Sequence, residues 1–93
     1  MIERTEGCLR VTVPMTVPNA ATLLAAGFGI IKETAETIDL SAVSAADSSA
    51  LAVMLGWMRA ASASSRTLSF AHPPAGLQAL AELYGISNLL PLH

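Results

Sequence analysis

A carboxylate followed by two hydroxyls, Asp47, Ser48 and Ser49, is the group of neighbouring residues with the clearest potential for chemistry. It follows the strand-like segment 37–40 and a short polar turn, and an apolar segment begins at Ala50. Side-chain oxygens at such a position accept hydrogen bonds from the unpaired N–H groups of a first helical turn. The hydroxyls would also lie at the positive end of a helix dipole, where a phosphate group is stabilised. The cluster is therefore either a helix cap, worth about 1 kcal/mol, or a contact and modification site.

The remaining reactive side chains do not combine into a catalytic or metal site. His72 stands beside a proline, His93 is the last residue, and no acid or nucleophile has a spacing typical of a triad. The single cysteine, Cys8, allows neither an internal disulfide nor a cysteine-based zinc cluster. Segment 27–29 lacks the further glycine and the preceding strand of a phosphate-binding loop. We expect no catalytic residue, no metal and no cofactor, and hence no enzyme.

The composition is apolar and poor in charge. Hydrophobic residues make up 53% of the chain and charged residues 13%, against about 25% in typical soluble domains. The mean hydropathy is +0.55, which favours an apolar surface covered by a partner. The net charge of −2 and the scattered basic residues argue against nucleic acid. The longest apolar run, 20–31, is too short to span a bilayer and the N-terminus does not resemble a secretory signal, so we expect a cytoplasmic protein.

Strand-like and helix-like patterns alternate along the chain, which at 93 residues we expect to form one domain, 1–93. The predicted strands are 2–5, 9–13, 37–43 and 66–70, and the predicted helices are 20–31, about 48–61, and 74 to a C-terminal cap at Gly85. Asn19 is the predicted N-cap of the first helix. This order predicts an α/β fold with a small mixed, mostly parallel sheet of about four strands and helices packed on it.

The helix after Asp47 is the candidate binding surface. Its predicted core stripe is Leu51, Met54, Leu55 and Met58. Small residues recur every four positions at Ser48, Ala52 and Gly56, a ridge that another protein could approach closely. We expect this ridge to contact a partner, together with Met15 and Thr16 from the loop between Pro14 and Pro18. The spacing places Trp57 away from the core stripe, where it could pack under the sheet edge or anchor a partner.

Segment 39–51 resembles the signature of the STAS domain, in which an Asp-Leu-Ser-like strand end and a short turn precede Asp-Ser/Thr-Ser/Ala-Gly-Leu. This chain has Ala50 where the family usually has glycine. In the anti-anti-sigma factors of that family, the hydroxyl directly after the aspartate is phosphorylated and the same region contacts the partner protein. The resemblance implies that Ser48 is the candidate switch residue, with Asp47 as its structural neighbour and Ser49 as a secondary hydroxyl.

The C-terminal segment narrows the resemblance. Leu-Ala-Glu-Leu-Tyr-Gly at 80–85, followed by Leu-Leu-Pro at 89–91, is similar to the end of MlaB proteins, the STAS subunits of a phospholipid-transport ABC complex in Gram-negative bacteria. The resemblance implies a non-catalytic subunit that binds the ATPase MlaF, and indirectly the permease MlaE and the subunit MlaD, in a complex that maintains outer-membrane lipid asymmetry. It would lie at the cytoplasmic side of the inner membrane without inserting into it.

Two alternatives stay open at this point. The chain could instead be an anti-anti-sigma factor regulated by phosphorylation of Ser48. Its apolar surface also favours a homodimer when the chain is isolated from its partner.

Overall fold

Strands and helices alternate in the predicted order. The structure is a computed structural model that describes residues 1–5, 8–33 and 37–90. Its elements are β1 (Ile2–Thr5), β2 (Cys8–Val11), α1 (Val17–Glu33), β3 (Thr37–Asp39), α2 (Ser48–Ala63), β4 (Ser69–Ala71), α3 (Ala75–Leu83) and a short 3₁₀ helix (Ser87–Leu89).

The four strands form one sheet in the order β1-β2-β3-β4. β1 pairs with β2 antiparallel, whereas β2, β3 and β4 are parallel neighbours, so the predicted mixed and mostly parallel sheet is confirmed. Both parallel connections, through α1 and through α2, step in the same direction across the sheet. Because such crossovers are right-handed, the two helices lie on the same face of the sheet.

The core lies between that face and the helices. Leu9, Ile38 and Phe70 are neighbours in register across the three parallel strands, and all three are buried. The alternate row, which contains Thr37 and Ser69, stays partly exposed, as the two-residue period of a strand requires. The helices complete the core with further buried side chains, among them Leu23, Ile31, Met54 and Leu77.

Several predicted boundaries are wrong by a few residues. α1 begins at Val17 rather than at residue 20, since proline at Pro18 fits a first helical turn. Asn19 is therefore inside the helix and is not its N-cap; its side chain donates to the carbonyl oxygen of Pro14 over 2.8 Å. β3 ends at Asp39, because the chain turns there and the N–H of Val43 donates to the carbonyl of Leu40.

Trp57 packs between the two crossover helices. Its side chain is 0% exposed and its indole Nε1 donates to the carbonyl oxygen of Leu24 in α1 over 3.3 Å. The ring lies on Gly27, where a Cβ would come within 2.3 Å of Nε1. α2 thus buries one stripe against the sheet and a second against α1, and the second stripe explains why Trp57 lies away from the predicted core stripe.

The C-terminal cap of α3 forms at the predicted glycine. Gly85 has a φ of +71°, and the N–H of Ile86 donates to the carbonyl of Ala81 over 2.9 Å, the bonding pattern of a glycine-terminated helix. Leu90 is buried beyond it, while residues 91–93 lie outside the described residues.

Candidate functional site

Asp47 is the N-cap of α2. Its backbone is extended, and its Oδ1 accepts a hydrogen bond from the N–H of Ser49 over 2.9 Å. The hydroxyl of Ser49 donates to the same oxygen. The predicted helix cap is therefore confirmed, and the cap uses the second of the two hydroxyls.

The two serines have different surroundings. Ser48 is the first residue of α2 and is exposed, whereas Ser49 is half-buried. Among the described residues, no hydrogen bond occupies the hydroxyl of Ser48, while that of Ser49 is engaged with Asp47. Of the two hydroxyls, the one at Ser48 is therefore the more accessible to another molecule.

The second carboxylate oxygen of Asp47 reaches a different helix. Oδ2 accepts a hydrogen bond from the N–H of Val17, the first residue of α1, over 3.1 Å. A parallel backbone bridge lies beside it, in which the N–H of Met15 donates to Ala45 and the N–H of Asp47 donates to Met15. No local pattern in the sequence predicts this contact, because the two residues lie thirty positions apart.

Hydrogen bonds lower the pKa of two carboxyl groups, that of Asp47 and that of Asp39 at the end of β3. The hydroxyl of Ser49, with further help from backbone N–H groups including that of Val17, lowers the pKa of Asp47. The backbone N–H of Ser41 is the main cause of the lowered pKa of Asp39. Arg10 adds to the effect at Asp39 through an ion pair of 3.4 Å. Both carboxylates are therefore ionised at neutral pH.

The ridge of small residues is only partly free. Ser48 and Ala52 are exposed, but Gly56 is half-buried and faces α1, where a Cβ would come within 2.6 Å of the Leu24 side chain. The expectation that Gly56 belongs to an open ridge is thus corrected: its lack of a side chain serves the contact between α1 and α2. Ala52 and Gly56 also line a shallow apolar groove between these helices, bordered by Phe28.

The loop before α1 differs from the prediction. Met15 is 1% exposed and belongs to the core, so its side chain cannot contact a partner. The backbone bridge to Ala46 draws it inward. Thr16 is half-buried, and the exposed apolar residue of this segment is instead Val17, which is 69% exposed and whose N–H bonds to Asp47.

Two further features bear on function. Among the described residues, no three or more His, Cys, Asp or Glu side chains are grouped closely enough to hold a metal ion. No helix in the described part of the chain is long and apolar enough to cross a membrane.

The chain belongs to the STAS domain family. The family model described as "Mlab, STAS domain" matches residues 2–91, which is nearly the whole chain. The resemblance that segment 39–51 carries is thereby confirmed. No match is found among curated proteins.

Solved structures share the fold. An anti-sigma factor antagonist of Thermotoga maritima superposes with a TM-score of 0.78 at 14% identity, covering 99% of this chain and 83% of that one. The Bacillus cell fate determinant SpoIIAA, in its phosphorylated form, gives 0.68 at 18% identity, covering 100% and 89%. The anti-sigma factor antagonist SpoIIAA in its unphosphorylated form gives 0.73 at 17% identity, covering 100% and 86%. The STAS fold predicted from the sequence is confirmed.

Proposed function

We propose that this protein is a non-catalytic cytoplasmic subunit of an ABC-type complex that moves phospholipid between membranes and maintains outer-membrane lipid asymmetry. In this proposal the protein binds an MlaF-like ATPase subunit. Through the ATPase it associates with an MlaE-like permease and an MlaD-like subunit. The description of the matching family names MlaB, and the resemblance of the C-terminal segment to MlaB proteins suggests the transport role. STAS domain families are generally binding or regulatory proteins rather than enzymes.

The observation that carries the proposal is the exposed surface of α2 itself, which has very few charged side chains. Ser48 and Ala52 are exposed there, the exposed residue Val17 bonds through its N–H to Asp47, the residue before Ser48, and the sixteen residues of α2 contain a single charged side chain, Arg59. A helix surface with so little charge is normally covered. Small side chains also allow another backbone to approach closely.

Such a subunit acts through binding energy alone. If it binds one conformation of the ATPase better than another, it shifts the population toward that conformation. If it binds only the folded ATPase, it stabilises that fold by mass action.

The test is co-purification of the ATPase with tagged protein from the native host. We expect Ala52→Arg to abolish co-purification, because a long charged side chain would replace a small one at the contact and leave the fold intact. Ala79→Arg is the matched control, since Ala79 is an exposed alanine of α3, and it should co-purify the ATPase as the unaltered chain does. Undiminished binding of the Ala52→Arg protein would remove this surface from the proposal.

A second candidate function is regulation of transcription as an anti-anti-sigma factor. The exposed hydroxyl of Ser48 directly after Asp47, in a fold shared with anti-sigma factor antagonists, favours it. Mass spectrometry of protein from the native host separates the two. Stoichiometric phosphoserine at Ser48, with a kinase-like protein as the co-purified partner, would support regulation over transport.

A further inference from the structure

One carboxylate bonds to the first turns of two helices. Oδ1 of Asp47 accepts the N–H of Ser49 in α2 over 2.9 Å, and Oδ2 accepts the N–H of Val17 in α1 over 3.1 Å. A carboxylate is suited to this arrangement, because it has two acceptor oxygens and donates nothing when ionised. Together the two bonds hold the amino-terminal ends of α1 and α2 side by side.

The first turn of α1 depends on this contact more than most first turns would. Pro18 has no N–H, and the N–H of Asn19 donates to the carbonyl of Thr16 over 2.9 Å. α1 has no acidic residue of its own in its first turn. The N–H of Val17 is therefore satisfied from another element, by Asp47.

We infer that Asp47 is a positioning residue of the partner-binding surface, which fixes the exposed side chain of Val17 beside Ser48. The surface is then built from two helices rather than from α2 alone, and Val17 is its apolar contact residue. The partner-binding part of this inference rests on the proposed function. The positioning part can be tested on the isolated protein.

Substitutions at Asp47 separate the two bonds. Serine is a good N-cap, so Asp47→Ser keeps an acceptor for Ser49, but its single, shorter side-chain oxygen cannot also reach Val17. Asparagine has one acceptor oxygen, so Asp47→Asn can serve one of the two N–H groups at a time. Ser49→Ala is the matched control, because it removes the serine hydroxyl from Oδ1 and leaves both backbone bonds in place.

Amide hydrogen exchange measured by NMR on the isolated protein tests the positioning role. We expect the Val17 amide of the Asp47→Ser protein to exchange at least tenfold faster than in the unaltered chain, and the Ser49 amide to change less than threefold. The Ser49→Ala protein should keep both amides protected. In the Asp47→Asn protein, one of the two amides should lose protection and the other keep it. Unchanged exchange at Val17, or an equal acceleration at every amide of the chain, would overturn the inference.

Affinity for the co-purified partner tests the link to binding. Asp47→Ser and Val17→Ser should each weaken binding about tenfold, and the double variant should be little weaker than either single one, since both changes remove the same contact. Losses that multiply would overturn the link between Asp47 and Val17. If the ATPase is not a partner at all, the proposed function fails, while the exchange measurement still decides whether Asp47 positions Val17.

Discussion

Gly27 is the position where the packing of α1 against α2 can be tested most sharply. It lies under the indole of Trp57, and a Cβ at this position would come within 2.3 Å of Nε1 and 2.6 Å of Cε2. Real Cβ atoms do not approach other atoms so closely, so Gly27→Ala forces the ring or the helix to move. The ring is fully buried and cannot swing into solvent.

The expected loss in unfolding free energy is the sum of two destabilising contributions and one stabilising contribution. Overfilling a packed core costs about 1–3 kcal/mol. A displaced indole also loses its hydrogen bond to Leu24, and an unpaired buried donor costs about 1–3 kcal/mol. Alanine regains about 1 kcal/mol over glycine in a helix interior. The net loss is about 1–5 kcal/mol with a central value of about 3 kcal/mol, and in a chain of 93 residues this central value corresponds to a fall in Tm of roughly 12–24 °C.

Gly29 provides the matched control two residues further along the same helix. It is exposed, and no described atom lies within 4 Å of where its Cβ would be. Gly29→Ala should therefore show the helix-propensity gain alone, about 0.5–1 kcal/mol. The same chemical change should lower the unfolding free energy at Gly27 and raise it at Gly29.

Urea unfolding followed by far-UV circular dichroism measures both variants, and Trp57 fluorescence reports the local change. The change in free energy should appear as a shifted midpoint with an unaltered slope. If the Gly27→Ala protein is as stable as the Gly29→Ala protein, the close approach of α1 to Trp57 is refuted.

Two further predictions concern stability. Gly85→Ala should lower the unfolding free energy by about 1 kcal/mol, because φ is +71° at this position and alanine is strained there. Gly85→Asn should lower it less in the same urea assay. Equal losses in the two variants would contradict a left-handed cap. The folded-state pKa values of Asp39 and Asp47 are lowered, so their ionised forms stabilise the fold above the unfolded value of about 3.9, and this contribution is lost as the pH falls through the lower folded values. Urea midpoints should therefore be constant from pH 7 to about pH 5 and decrease below about pH 4. The decrease should be smaller in the Asp39→Asn protein. A pH profile identical to that of the unaltered chain would contradict the role of Asp39.

Local patterns were sufficient to predict the elements and the cap of α2. The strands around Leu9 and around Ile38 have the two-residue period of half-buried strands. Gly85 supplies the left-handed residue that ends α3. Asp47 was predicted as a cap for the same reason, since its bond to Ser49 spans only two residues.

Contacts between distant segments could not be predicted in this way. Met15 follows a proline in a segment that resembles a loop, and only its bridge to Ala46 draws it into the core. The residue spacing in α2 indicates one buried stripe, whereas α2 packs against both the sheet and α1, so the sequence alone does not decide where Trp57 lies. No local pattern distinguishes Val17, because the residue that bonds its N–H, Asp47, is thirty positions away in the sequence.

The bridge between Met15 and Ala46 has a consequence for how the protein is made. The surface around Ser48 consists of segments that are far apart in sequence and come together only once β2 and β3 are paired and α2 has formed. Such contacts form late, because long loops must close first. A chain emerging from the ribosome therefore lacks this surface until most of its length has been synthesised. Recognition of this surface would therefore require that β2, β3 and α2 have folded together.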